Sequence, residues 1–288
     1  MLFIVGFILV VATVMGGYIM GGGHVDVLWQ PLEFLIIFGA GIGAFLISFP
    51  ITVIKGVMGS MGKLLKGSKY NADSYLELLS CLYTVFKLAK SKGDLALESH
   101  IENPSESALF GQFPGFLGDH HALEFMCDYL RLLTLGTSNA YEIDAIMDAE
   151  LEVHHEELHS ISAAVGNLGE SLPALGIVAA VLGIIHTMGS ITEPPEVLGH
   201  LIGAALVGTF SGILFSYGFV TPMGTSLGAV FAEESNYMLC IKNGIIAHMQ
   251  GYAPQVSIEF ARKVVPNHVR PSFAQLEEAI QNAGTTPE

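Results

Sequence analysis

Residues 172–191 read LPALGIVAAVLGIIHTMGSI, a run without a single Asp, Glu, Lys or Arg. A helix that crosses the hydrocarbon core of a bilayer needs about 20 mostly apolar residues, so this stretch predicts a membrane span. The next residues, Thr192-Glu193-Pro194-Pro195-Glu196, are a loop whose double proline cannot continue a helix. A second apolar run follows over residues 198–220, which makes the two runs a helical hairpin. Working outward, residues 2–20 and 34–54 form another such pair, joined through Trp29-Gln30-Pro31. Trp29 is the only tryptophan, and its place beside a span suits an interfacial anchor. The first run lacks a basic leader and a small-residue cleavage site, so it reads as a retained anchor rather than a signal peptide. The expected fold is all-α: a polytopic membrane protein with four transmembrane helices and a helical cytoplasmic domain.

Composition agrees. Hydrophobic residues make up 51% of the chain and charged residues 14%, against roughly a quarter charged in soluble domains; mean hydropathy is +0.54. Twelve basic residues face 27 acidic ones, for a formal net charge of −15. Nucleic acid is excluded as a partner, because phosphate binding needs clustered Lys and Arg. Cys81, Cys127 and Cys240 are far apart in sequence and read as reduced thiols packed as small hydrophobes, not as a disulfide or metal cluster.

The positive-inside bias sets direction. Lys55, Lys63, Lys66 and Lys69 follow the second run closely, whereas Lys242, Arg262, Lys263 and Arg270 follow the fourth at greater distance. Residues 21–31 and 192–197 hold no Lys or Arg. Both hairpin loops are therefore expected outside and both termini in the cytoplasm. The expected organisation is a first hairpin (1–54), a cytoplasmic helical domain (55–170), a second hairpin carrying the ion path (171–222), and a cytoplasmic helix with C-terminal tail (223–288). Within the polar parts, Asn103-Pro104-Ser105-Glu106 and Ser272-Phe273-Ala274-Gln275 read as helix starts. Residues 123–135, 141–164 and 226–249 carry helical periodicity.

His155-Glu156-Glu157-Leu158-His159 matches the zinc-protease pattern HExxH, with both histidines on one helical face. Five-residue patterns arise often by chance, no third ligand is apparent, and Glu150, Glu152, His154 and Glu157 suggest a solvated face. Neither an enzyme nor a cofactor is expected. Gly17/Gly21, Gly39/Gly43 and Gly208/Gly212 have GxxxG spacing, which suits close helix packing within the chain or between subunits. Pro173 and Pro222 are either helix boundaries or functional kinks. The polar side chains of the second hairpin are His186, Thr187, Ser190, His200, Thr209, Ser211, Ser216 and Tyr217; no carboxylate is among them. Proton relays through membranes usually use an ionisable group, so an ion path here needs a carboxylate from another subunit. His186 and His200 lie near the outer ends of their runs and are expected to pack or hydrogen-bond.

The residues from Pro173-Ala174-Leu175-Gly176 to His186-Thr187-Met188-Gly189 resemble the third span of the MotA family of flagellar stator subunits. So do Gly208-Thr209-Phe210-Ser211-Gly212 and Tyr217-Gly218-Phe219-Val220-Thr221-Pro222. Gly16-Gly17-Tyr18, Ile101-Glu102-Asn103-Pro104, Gly251-Tyr252-Ala253-Pro254, Glu259-Phe260-Ala261-Arg262-Lys263 and Arg270-Pro271-Ser272-Phe273 extend the resemblance over the whole chain. It implies a ring of five such chains in the bacterial inner membrane around two copies of MotB, whose span carries the missing aspartate. Ion flow there would turn the ring against the rotor protein FliG. By the same resemblance, Thr209, Ala180 and Tyr217 belong to the ion path, Pro173 and Pro222 to coupling, and Lys90 and Glu98 to the rotor contact. Lys90 stands where the family often has Arg, which keeps the charge but loses a planar fork. Ala180 offers no side-chain oxygen to a sodium ion, so protons are the expected ion. The related alternative is an ExbB/TolQ-like energiser driving a periplasmic partner; those relatives typically have three spans.

Overall fold

The computed structural model describes residues 2–137 and 139–283, and among these it contains helices, turns and no strand. Four helical segments are long and apolar enough to cross a membrane: Leu2–Met20, Val25–Ser48, Ala140–Gly189 and Pro195–Met249. The chain divides into two compact units, Met1–Gly67 with Glu157–Val230, and Ser68–Glu156 with Phe231–Glu288.

The first unit begins with α1 (Leu2–Met20), which has no charged side chain and buries nothing within the chain. Its apolar surface is all outward, as a lipid solvent allows. Next come α2 (Pro31–Ser48), opened by Pro31 at the first turn, and α3 (Ile51–Lys66). The expected second span ran to residue 54, but the helix ends at Ser48. Pro50, extended at φ −67° and ψ 157°, has no N–H to continue the ladder and caps a new helix instead. That new helix carries Lys55, Lys63 and Lys66.

Much later in the chain, α8 (Ala140–Gly189) enters the first unit at Glu157, followed by α9 (Pro195–Phe215) and the start of α10 (Thr221–Met249). Pro194 caps α9 and Pro195 fills its first position, where the missing N–H costs nothing. Pro173 lies inside α8, so it is no helix boundary. Between α9 and α10 the residues Ser216–Val220 form a single π turn rather than the expected plain α-helix. The core joins Ile37 of α2 to Leu172 and Ala179 of α8, with Phe38 packed edge-on against Phe215 at 4.9 Å.

The second unit is a water-soluble type of core. Here α4 (Ala72–Lys92) starts at a capping box in which Asn71 accepts from Ser74 N at 2.9 Å. It buries Tyr75, Leu78, Leu79, Leu82, Val85 and Phe86 against α7 (His120–Thr134), the later part of α10, α11 (Pro254–Lys263) and α12 (Phe273–Ala283). The short α5 (Glu98–Glu102) and α6 (Pro114–Leu117) pack on α7.

The helix start expected at Asn103 is only a 3-10 turn, Pro104–Glu106, without a side-chain cap. The Ser107 hydroxyl that follows is held by His100 Nδ1 at 2.8 Å and by Phe110 N at 3.2 Å, which pulls the chain away from a helical course. By contrast the Ser272 box is complete: Gln275 N donates to Ser272 Oγ at 3.2 Å and Ser272 N to Gln275 Oε1 at 2.8 Å. All three cysteines are free and buried, and burial pushes the Cys127 thiol up to about 12.

Candidate ion-path seam and rotor-contact helix end

In the first unit α8 and α9 approach so closely that their glycines have no room for a side chain. A Cβ on Gly176 would lie 2.8 Å from the Gly208 carbonyl oxygen, 3.1 Å from Gly212 Cα and 3.4 Å from Thr209 Cα. One on Gly183 would meet Ala205 Cβ at 2.8 Å, and one on Gly212 would meet the Leu172 carbonyl oxygen at 2.6 Å. This is the small-residue packing by which membrane helices associate without a hydrophobic driving force. Gly169, Gly176 and Gly183 recur every seven residues, two helical turns, and so share one face of α8. That spacing was legible in the sequence and was missed in favour of GxxxG pairs. Of those pairs, Gly208/Gly212 lies in the seam. A Cβ on Gly17 or Gly43 would meet nothing within 4 Å of the rest of the chain.

The seam brings together two expected ion-path residues. Ala180 is buried, its amide nitrogen 3.3 Å from where a Gly208 Cβ would sit, and Thr209 follows Gly208 on the facing helix. Tyr217 does not join them; it lies in the π turn with its ring exposed. Thr187 is buried and donates to the Gly183 carbonyl at 2.8 Å. His186 and His200 are exposed, so neither packs within the chain as expected. No ionisable side chain is buried in the seam among the described residues.

Pro173 and Pro222 are linked through a second close contact. Proline at 173 has no N–H to donate to the carbonyl four residues back, Gly169. A Cβ on Gly169 would in turn lie 2.5 Å from Thr221 Oγ1 and 2.8 Å from Thr221 N, on the residue just before Pro222. The N–H of Thr221 donates to Ser216 O across the π turn. The hydroxyls of Ser216 and Thr221 are both buried without a hydrogen-bond partner in the chain. Single π turns are rare and concentrate at functional sites. Nothing in the local composition announces this one, because it depends on the register of two packed helices.

In the second unit, Lys90 ends α4 and Glu98 begins α5; both are exposed. They lie on neighbouring elements joined by Gly93 and the 3-10 turn Asp94–Leu97. Lys90 Nζ donates to the Gly251 carbonyl at 3.4 Å. His155 and His159 of the HExxH stretch are exposed on α8. No group of three or more metal-ligating side chains is found among the described residues.

Residues 4–93 match the motility protein A N-terminal family, and residues 120–239 match the MotA/TolQ/ExbB proton channel family. Over 281 residues the chain is 44% identical to motility protein A of Salmonella typhimurium, covering 98% of this chain and 95% of that one. It is 33% identical over 273 residues to the chemotaxis protein LafT of Vibrio parahaemolyticus, covering 95% and 96%. Among solved structures, C. jejuni MotAB matches with a TM-score of 0.78 at 23% identity, over 94% of this chain and 98% of that one. The flagellar MotAB stator complex from Bacillus subtilis matches with a TM-score of 0.69 at 29% identity, over 89% and 92%. With a carboxylate-free seam between two membrane-length helices and identity this high over nearly its whole length, the chain belongs to the motility protein A family of flagellar stator subunits.

Proposed function

We propose that this chain is the ring subunit of a proton-driven stator in the bacterial inner membrane, with both termini in the cytoplasm. Five copies surround MotB, whose membrane span supplies the aspartate this chain lacks. Proton passage at that aspartate rotates the ring, and Lys90 and Glu98 transmit the rotation to the rotor protein FliG. The observation that carries the reading is the α8–α9 seam. It is built of small residues and hydroxyls, contains no buried charge among the described residues, and so can line a path but not relay a proton alone.

Ala180 and Thr209 lie where that seam can set ion choice. Sodium needs several oxygen ligands, and Ala180 offers none from its side chain, which supports protons. Pro173 and Pro222 meet through Gly169 and Thr221, which supports a joint that transmits movement. An ExbB/TolQ-like role is the weaker reading, because the motility-specific N-terminal match over residues 4–93 takes in the first hairpin and Lys90.

The test is swimming of a stator-deleted strain complemented with this chain and its MotB. Speed that follows proton-motive force and ignores external sodium is expected. Speed that follows sodium would overturn the proton assignment, and failure to restore any torque with both partners present would overturn the stator reading.

A further inference from the structure

Three helices of the second unit end at one place. The C-termini of α4, α7 and α10 are each followed by a left-handed glycine, Gly93 (φ 88°), Gly136 (φ 87°) and Gly251 (φ 87°). Residues from all three ends line a single cavity of about 470 Å³, among them Lys90, Asp94, Thr137 and His248. Each helix C-terminus carries roughly half a negative charge from its unsatisfied carbonyls. Asp94 adds a full one, with its side chain about half exposed.

The cations already present do not neutralise this. Lys90 is turned towards the Gly251 carbonyl. The described ion contact of Asp94 is to His248 Nε2 at 3.8 Å, and burial lowers the pKa of that imidazole, leaving it neutral near pH 7. His248 is stacked flat on Phe86 at 4.6 Å with its side chain 8% exposed, and its Nδ1 has no hydrogen-bond partner.

The rim is different in kind. Leu95, next to Asp94, is 71% exposed, and Leu135, next to Gly136, is 75% exposed. The turn that holds Leu95 packs on α7, so the two leucines border the same opening. A large aliphatic side chain on each side of a negatively polarised pocket complements one type of group: a long side chain with an apolar stem and a cationic head. Arginine fits best, since its planar fork can take a carboxylate and helix-end carbonyls together.

We propose that this cavity is a docking site for a basic side chain, an arginine or lysine, presented by the rotor protein beside the Lys90 and Glu98 contact. The proposal rests on the rotor reading above and adds to it a socket, an occupant and two apolar contacts.

The test uses the purified complex of this chain with MotB and the rotor protein on a biosensor surface, over a salt series. Asp94→Asn is expected to weaken binding about tenfold at low salt and to flatten the salt dependence, and Leu95→Ser with Leu135→Ser about as much with the salt slope unchanged. Asp94→Lys is expected to abolish binding and to be rescued by reversing a single basic residue of the rotor protein. Equal melting temperatures establish that each variant is folded. If Lys90→Glu or Glu98→Lys abolishes binding while the Asp94 and leucine variants bind as wild type, the socket is overturned and the rotor contact stands. If none of these variants changes binding, the rotor reading itself falls. A change in oligomer size with rotor binding intact would assign the cavity to a neighbouring copy and overturn the proposal.

Discussion

Gly169 of α8 and Thr221 of α10 are in backbone contact: a Cβ on Gly169 would sit 2.8 Å from Thr221 N and 3.1 Å from Thr221 Cα. Because the obstacle is main chain and not the tip of a flexible side chain, Gly169→Ala must push the helices apart. Overpacking of this kind typically costs about 1–3 kcal/mol. A lowered melting temperature and a loss of torque are expected, and Thr221→Ala should rescue neither, since it removes the hydroxyl but leaves the amide in place. Thermal unfolding in detergent together with swimming speed provides the check.

Replacing Pro173 by Ala returns an N–H to the Gly169 carbonyl. A proline inside a helix costs about 3 kcal/mol, so the variant is expected to be at least as stable as the parent and to assemble with MotB. Torque should nevertheless fall, because the joint at Gly169 and Thr221 loses its free carbonyl. Co-purification with MotB beside tethered-cell rotation separates the two effects; failed assembly would remove the coupling role of Pro173.

Lys242 is buried between Asp144, at 2.7 Å, and Asp148, which are themselves partly exposed. Burial opposes its charge, but the two carboxylates hold the pKa above the ordinary lysine value. Removing the carboxylates leaves a buried ammonium unpaired, at about 3–5 kcal/mol. The Asp144→Asn, Asp148→Asn double variant is therefore expected to destabilise more than Lys242→Met, whose stem fills the same space while the aspartates turn to water. Urea unfolding of the three proteins gives the ranking.

His248 makes stability depend on pH in a defined window. Burial lowers its folded pKa, Asp94 partly offsets this, and Lys90 adds to it. The unfolded chain, with an ordinary value near 6.5, takes up a proton before the folded chain does. Stability is therefore complete above about pH 6.5 and falls as the pH drops towards the folded value, by at most about 1.4 kcal/mol per unit. His248→Asn should remove this slope. Glu259 acts at lower pH: its hydrogen bonds from Arg262 lower its pKa, so its contribution is lost only below the usual carboxylate range. Unfolding midpoints between about pH 5 and 7.5 isolate the histidine.

The four apolar runs and their turns were legible because hydropathy and proline chemistry act locally. The double proline at 194 and 195, the Ser272 box and the position of Trp29 needed no tertiary context. What escaped sequence reading depended on partners distant in the chain. Pro50 could not be told from a residue inside a span that continued to 54, and the Asn103 start failed because Ser107 found His100. Lys242 gives no sign in sequence of its aspartates a hundred positions earlier. For the site, residue types were readable but geometry was not. Ala180 and Thr209 do face one seam, whereas Tyr217 points away from it within this chain.

The π turn at Ser216–Val220 holds one residue more than an α-helical turn would need. It therefore acts as a phase offset along the fourth apolar segment. Deleting one residue between 216 and 220 should leave a regular helix of unchanged hydropathy, yet turn everything after it by about 100° around the helix axis. Gly224, whose missing side chain lets it lie against Gly166, and Leu227, now fully buried, would both leave their partners. A chain shortened in this way should insert into membranes normally and still lose its packing, so a length-conserving alignment is itself a constraint that this sequence carries.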